Sequence, residues 1–126
     1  DFRRVSQAIG CEVKDIVRFV SQIRFHRGSE RKAKLLVDLV RGKTFQEADN
    51  LLRFNTKRAA VNVRKALNAA RADAELQQAD VGLLVVSESR VDRALHIKRF
   101  KAKDRGRAHP ILKRTAHITV AVEERN

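Results

Sequence analysis

The residues with the strongest chemical bias lie between Lys98 and Arg114. Lys98, Arg99, Lys101, Lys103, Arg105, Arg107, Lys113 and Arg114 stand there against a single acid, Asp104. The chemistry open to such a run is recognition of phosphate. Lys and Arg displace condensed counterions from a nucleic-acid backbone, and six to ten such contacts lower affinity roughly 10³–10⁵-fold between 50 and 200 mM salt. A charge run can also be plain solvated surface, but eight like charges in seventeen residues repel one another with nothing gained. Gly106 lets the backbone approach a partner closely. Pro110 lacks an N–H, which suits the edge of a ribbon.

A second basic set is Arg24, Arg27, Arg31, Lys32, Lys34 and Arg41, of which Arg31 and Lys32 stand near a helix start. A third is Lys57, Arg58, Arg64 and Lys65, where RNA contact and ordinary helix surface are equally open readings. Other chemistries find little support. His26, His96, His109 and His117 lack the close spacing of a zinc motif, and Cys11 is remote from all of them. His117 is read as a hydrogen-bonding or phosphate-meeting residue. Neither a nucleophile elbow nor a Gly-rich phosphate loop occurs, and the chain has five glycines in all. Glu123 and Glu124 pair near the terminus, where solvation explains them. The reading is therefore of a binding protein, not an enzyme, with no cofactor and no metal. Phe100 offers a weak option for base stacking, without the aromatic motif of an RNA-recognition sheet.

The whole chain carries the same bias. Its 126 residues hold 28 Lys and Arg against 15 acids, a net charge of +13. Such an excess opposes folding unless a polyanion neutralises it. Apolar runs such as Gly82 to Val86 are too short to span a bilayer, so nucleic acid rather than membrane is the expected partner. A single cysteine permits no intrachain disulfide and fits a reducing compartment. Asp1 to Val13 has no continuous apolar core of the kind a secretory signal needs. The length suits one domain, residues 1–126, with residues 1–14 as an N-terminal arm of no clear period.

The elements follow from periodicity. Asp15 to Arg24, with Ile16, Val17, Phe19, Val20 and Ile23, reads as a strand ended by His26, Arg27 and Gly28. Ser29 is a candidate N-cap for a first helix with Ala33, Leu36, Val37 and Val40 on one face and Gly42 after it. Thr44 and Glu47 form a capping-box pattern for a second, with Phe45, Ala48, Leu51 and Leu52 facing inward. A third begins near Asn55 or Thr56 and runs along Ala59, Val63, Ala66, Leu67, Ala70 and Ala74. β-type residues then continue from Leu83 through Val91, Leu95 and Ile97. Thr115 to Val122 alternates as a half-buried strand, with Ile118, Val120 and Val122 on one face. The expected fold is α+β: three helices packed on a small three-stranded antiparallel sheet, with a long protruding β-hairpin. Residues 98–114 form its extended tip region, and Asp104-Arg105-Gly106 its turn. With eight to ten residues projecting from each arm, the extension reaches roughly 25–35 Å.

These residues resemble a known family. Lys98-Arg99, Gly106-Arg107-Ala108, Lys113-Arg114-Thr115 and His117-Ile118 match, in order and spacing, the C-terminal hairpin of bacterial large-subunit ribosomal protein twenty-two. Arg31-Lys32-Ala33 through Val37 to Lys43 is similar to its first helix, and Leu84-Val85-Val86 with Val91-Asp92 to its next strand. Glu30 follows Ser29 where that family has Pro, and Ala116 stands where it has Ser. The resemblance implies a structural ribosomal protein that binds large-subunit ribosomal RNA, aids assembly and touches neighbouring ribosomal proteins. It places the protein in ribosomes, of the cytoplasm or of an organellar matrix. The implied RNA contacts are Arg24, Arg27, Arg31, Lys32, Lys98, Arg99, Lys101, Lys103, Arg105, Gly106, Arg107, His109, Lys113, Arg114 and His117. Lys103, Asp104, Arg105, Gly106, Arg107, Ala108 and His109 would form the tip, which in that family helps line the exit tunnel beside the nascent peptide. The competing reading is a free regulatory module for RNA or DNA. Co-sedimentation with large subunits separates the two.

Overall fold

Residues 2–11 and 17–125 are described by the structure, a computed structural model. Helix α1 spans Phe2–Ile9. Where the sequence shows no clear period the chain is helical, with Val5 and Ile9 four residues apart, too short a run to register as a period. Gly10, with φ +77, ends it by donating its N–H to the Ser6 carbonyl at 2.8 Å. The rest of the expected arm, residues 1 and 12–14, lies outside the described residues.

Strand β1 spans Phe19–Arg27. It lies further along the chain than expected and takes in His26 and Arg27; Asp15 and Ile16 are outside the described residues. A bulge lies where the strand runs on past Arg24. Ile23 pairs with Ile118 and His26 with Ala116, so Arg24 and Phe25 together oppose His117. The extra residue turns His26 inward, to 4% exposure, where plain alternation would end the strand.

Three helices follow, with the expected inner faces. Helix α2, Glu30–Val40, buries Ala33, Leu36, Val37 and Val40. Ser29 holds the N-cap position but makes no side-chain cap hydrogen bond. Gly42, φ +75, turns the chain, and its N–H donates to the Val86 carbonyl at 2.9 Å. Helix α3, Phe45–Arg53, is capped by Thr44, whose hydroxyl accepts the Glu47 N–H at 3.4 Å. Phe45, Ala48 and Leu52 are buried, whereas Leu51, expected inside, is exposed. Helix α4, Arg58–Leu76, starts a few residues later than expected and buries Ala59, Val63, Ala66, Leu67, Ala70 and Ala74, with Ala60 added. Alanines on that face let α4 approach β1 and the last strand closely.

A short 3₁₀ turn, Val81–Leu83, leads into β2, Leu84–Arg93. Strands β3, Ile97–Ala102, and β4, Ala108–Lys113, form a two-stranded hairpin. Strand β5, Thr115–Glu124, is the centre of a three-stranded antiparallel sheet ordered β1-β5-β2. Its inner residues Ile118, Val120 and Val122 join the core beneath the helices, and Ala116 is buried on the same face. Thr115, Thr119 and Ala121 on the other face are buried as well, so the strand is covered on both sides and not half-buried as expected. The architecture is the expected α+β arrangement, with one more helix among the described residues.

The expected long arms are each interrupted. Ala94, Leu95 and His96 separate β2 from β3, and Arg114 separates β4 from β5. This joint is stitched by hydrogen bonds: Ala94 N–H to the Thr115 carbonyl at 3.2 Å, the Thr115 hydroxyl to the Leu95 carbonyl at 2.5 Å, and Gly28 N–H to the Arg114 carbonyl at 3.1 Å. Each hairpin strand has 6 residues, an advance of about 20 Å at ~3.3 Å per residue. The tip, Lys103 to Arg107, extends beyond these paired strands.

Candidate nucleic-acid interface

Every residue from Lys98 to Ala108 is exposed. Directly opposed residues of an antiparallel pair share a face. The register couples Ile97 with Lys113, Arg99 with Ile111, and Lys101 with His109. It couples Lys98 with Leu112, Phe100 with Pro110, and Ala102 with Ala108 on the other side. One side of the hairpin is thus cationic and the other largely apolar. The run that reads as uniformly basic in sequence is divided by the pleat.

At the tip, Lys103 N–H donates to the Arg107 carbonyl at 2.6 Å and Arg107 N–H to the Asp104 carbonyl at 3.2 Å. Arg105 and Gly106 both have positive φ, 53 and 70. A Cβ at Gly106 would meet nothing within 4 Å. Within the chain, then, the left-handed conformation rather than crowding accounts for this glycine. His109 is half-buried, and its Nδ1 has no hydrogen-bond partner among the described residues.

Below the hairpin, two adjoining clefts of about 480 and 630 Å³ share Arg27, Gly28, Ser29 and Arg58. The first is completed by Ile97, Arg99, Lys113, Arg114 and Thr115. The second adds His26, Lys32, Leu35, Lys57 and Ala59. Among the described residues, seven cations line this trough and no acid does. None of the seven forms a salt bridge with any described residue, whereas Arg18, Arg41, Arg64, Arg71, Arg90 and Arg125 are all paired with carboxylates elsewhere. The molecule thus sorts its arginines into neutralised and unneutralised sets. Arg64 shows the first kind: its hydrogen bond to Asp49, and then the Asp49 charge, raise its pKa. His26 shows the environment of the second: burial first, then the nearby Arg58 charge, lower its pKa. Its Nδ1 meets the Asn62 side chain, which holds the ring against the trough floor.

The trough gathers Arg27, Lys32, Arg99, Lys113 and Arg114 from the expected set. Lys101 and His109 continue it along the cationic face, and Lys103, Arg105, Gly106 and Arg107 form the tip. Lys98 stands on the opposite face. Arg31 is exposed on α2 away from the clefts. Arg24 and His117 lie on the outer face of the sheet, where the His117 Nδ1 accepts the Phe25 N–H at 3.2 Å. Arg41, in the second basic set, is held by Asp38 and the Ser89 carbonyl. Sequence reasoning left Lys57 and Arg58 undecided. Their place beside Gly28 depends on the start of α4 meeting the end of β1, which no local pattern announces. Among the described residues there is no cluster of three or more potential metal ligands, and no helix long and apolar enough to cross a membrane. The family model described as Ribosomal protein L22p/L17e matches residues 21–123.

Proposed function

Because the chain belongs to the family Ribosomal protein L22p/L17e, it is a structural constituent of the large ribosomal subunit, and we propose that it acts by holding ribosomal RNA in the trough and along the hairpin. The observation that carries this reading is the surface from Lys32 and Arg58 through Arg99 and Lys113 to Lys101, along which no described acid lines the clefts. A helix-to-hairpin joint lined by seven unpaired cations is costly in isolation and is relieved by phosphates. The trough grips one RNA segment at the globular part, and the cationic hairpin face lies along another. One small protein thereby ties two segments together, which is how it assists assembly.

The apolar hairpin face, Phe100, Pro110, Leu112, Ala102 and Ala108, is poorly suited to phosphate. In this reading it turns away from the RNA, toward the exit tunnel, and the tip from Lys103 to His109 contributes to the tunnel wall beside the nascent peptide. Neighbouring ribosomal proteins complete the surroundings of the globular part. Binding of the purified chain to large-subunit ribosomal RNA, measured against salt, tests the trough. Arg58→Gln should weaken binding and reduce the slope of log affinity against log salt by about 1. An unchanged slope would remove Arg58, and with it the trough, from the interface.

A further inference from the structure

The outer face of the sheet carries an aromatic side chain in an unusual setting. Phe25 has φ +56, a left-handed backbone that bulky residues rarely adopt and that costs free energy. Its side chain is nevertheless 58% exposed. Burial of the ring therefore does not account for the strain. The backbone is held by the bulge, in which Arg24 and Phe25 oppose His117, and by the Phe25 N–H donated to the His117 Nδ1. The two rings meet edge to face, with centroids 4.8 Å apart and an interplanar angle of 73°. The result is an outward-pointing aromatic fixed at both backbone and ring.

Its surroundings are cationic along the strand. Arg24 precedes it, and Arg27, two residues on, enters the trough. Residues two apart in a strand are separated by about 6.6 Å. The nearby carboxylate of Asp92, opposite His117 in the register, is already engaged by Arg90 at 3.4 Å. The other well-exposed phenylalanines differ in kind: Phe54 caps a helix beneath its neighbour Arg53, and Phe100 lies opposite Pro110 in the hairpin.

We propose that Phe25, braced by His117, is a stacking platform for an unpaired nucleobase of the RNA strand whose phosphates enter the trough at Arg27. This rests on the RNA-binding reading above and adds a base contact to it. An unstacked base supplies a π-face that an aromatic covers without regard to sequence, whereas a flanking phosphate meets Arg24 or Arg27. The strain at Phe25 fits this use, because a preorganised ring loses little freedom on binding.

The chain contains neither Trp nor Tyr, which makes the test direct. The whole chain is titrated with two single-stranded RNA oligonucleotides of equal length, one of ordinary uridines and one with central abasic sites. The parent should prefer the base-bearing strand about tenfold, the scale of one stacked base. Phe25→Gly relieves the strain, so its melting temperature should hold or rise, yet the tenfold preference should vanish while the salt slope stays. Phe25→Trp should keep the preference, and its fluorescence should be quenched by the base-bearing strand alone. Equal affinity of the parent for both strands, or a preference that survives in Phe25→Gly, overturns the platform and leaves Phe25 as an anchor for a protein neighbour. Absence of quenching in Phe25→Trp overturns it too, even where the glycine variant fails to fold. Failure of both strands to bind at low salt would instead overturn the RNA-binding reading itself.

Discussion

At the scale of single residues, His26 and Gly28 are interlocked. A Cβ added to Gly28 would lie 2.5 Å from the His26 Nε2, and the ring has no room to retreat because it is 4% exposed and held by Asn62. Gly28→Ala should therefore destabilise the chain by about 1–3 kcal/mol through overpacking, seen as a lower denaturant midpoint with unchanged m. The same histidine gives the protein a pH dependence. Its folded-state pKa is lowered from 6.5, by burial first and then by Arg58. The unfolded chain thus holds the proton more tightly. The ring's contribution to stability is complete above 6.5 and is lost as pH falls through the lower folded value. Unfolding midpoints should drop as pH falls below about 6.5, and the drop should be smaller in His26→Gln.

Elements differ in how much they rely on their surroundings. Helix α3 has a local stop and start, and removing its Thr44 hydroxyl, which accepts the Glu47 N–H, should cost about 0.5–1 kcal/mol. Thermal melts of Thr44→Ala check this. The β3–β4 hairpin is the opposite case. Its side chains from Lys98 to Ala108 are exposed, and an isolated two-stranded ribbon is marginal in water. Deleting Lys101 to Pro110 should leave cooperative unfolding of the remainder nearly unchanged, because the core members all lie outside that stretch. Loss of a cooperative transition in calorimetry would show that the hairpin contributes to the core after all. The same deletion should impair incorporation into large subunits, read by sedimentation.

For the whole molecule, the separation of charge matters more than its total. Fifteen acids are present in the sequence, yet none of the described ones lines the trough. Seven of the 28 Lys and Arg thus gather where phosphate can neutralise them. Affinity for RNA should fall roughly 10³–10⁵-fold between 50 and 200 mM salt if six to ten phosphates are engaged. A titration that is nearly flat in salt would show that the unpaired cations do not carry binding. Sequence reading is informative at this scale, since composition alone reports the excess of Lys and Arg.

The inner faces of α2 and α4, the Thr44 cap and the paired ends of the hairpin were legible from periodicity, because apolar spacing directly encodes which side of an element is buried. The Lys98 to Arg114 run was legible because charge is a property of residue type. Tertiary structure decided the rest. The bulge at Arg24 and Phe25 arises from register against β5, and it turned His26 inward. The trough exists because the end of β1, the start of α4 and the root of the hairpin meet, three segments far apart in sequence. The division of the hairpin into cationic and apolar faces needed the pairing of β3 with β4. A side chain's type travels with the chain, but its neighbours and its direction are set only when distant segments pack.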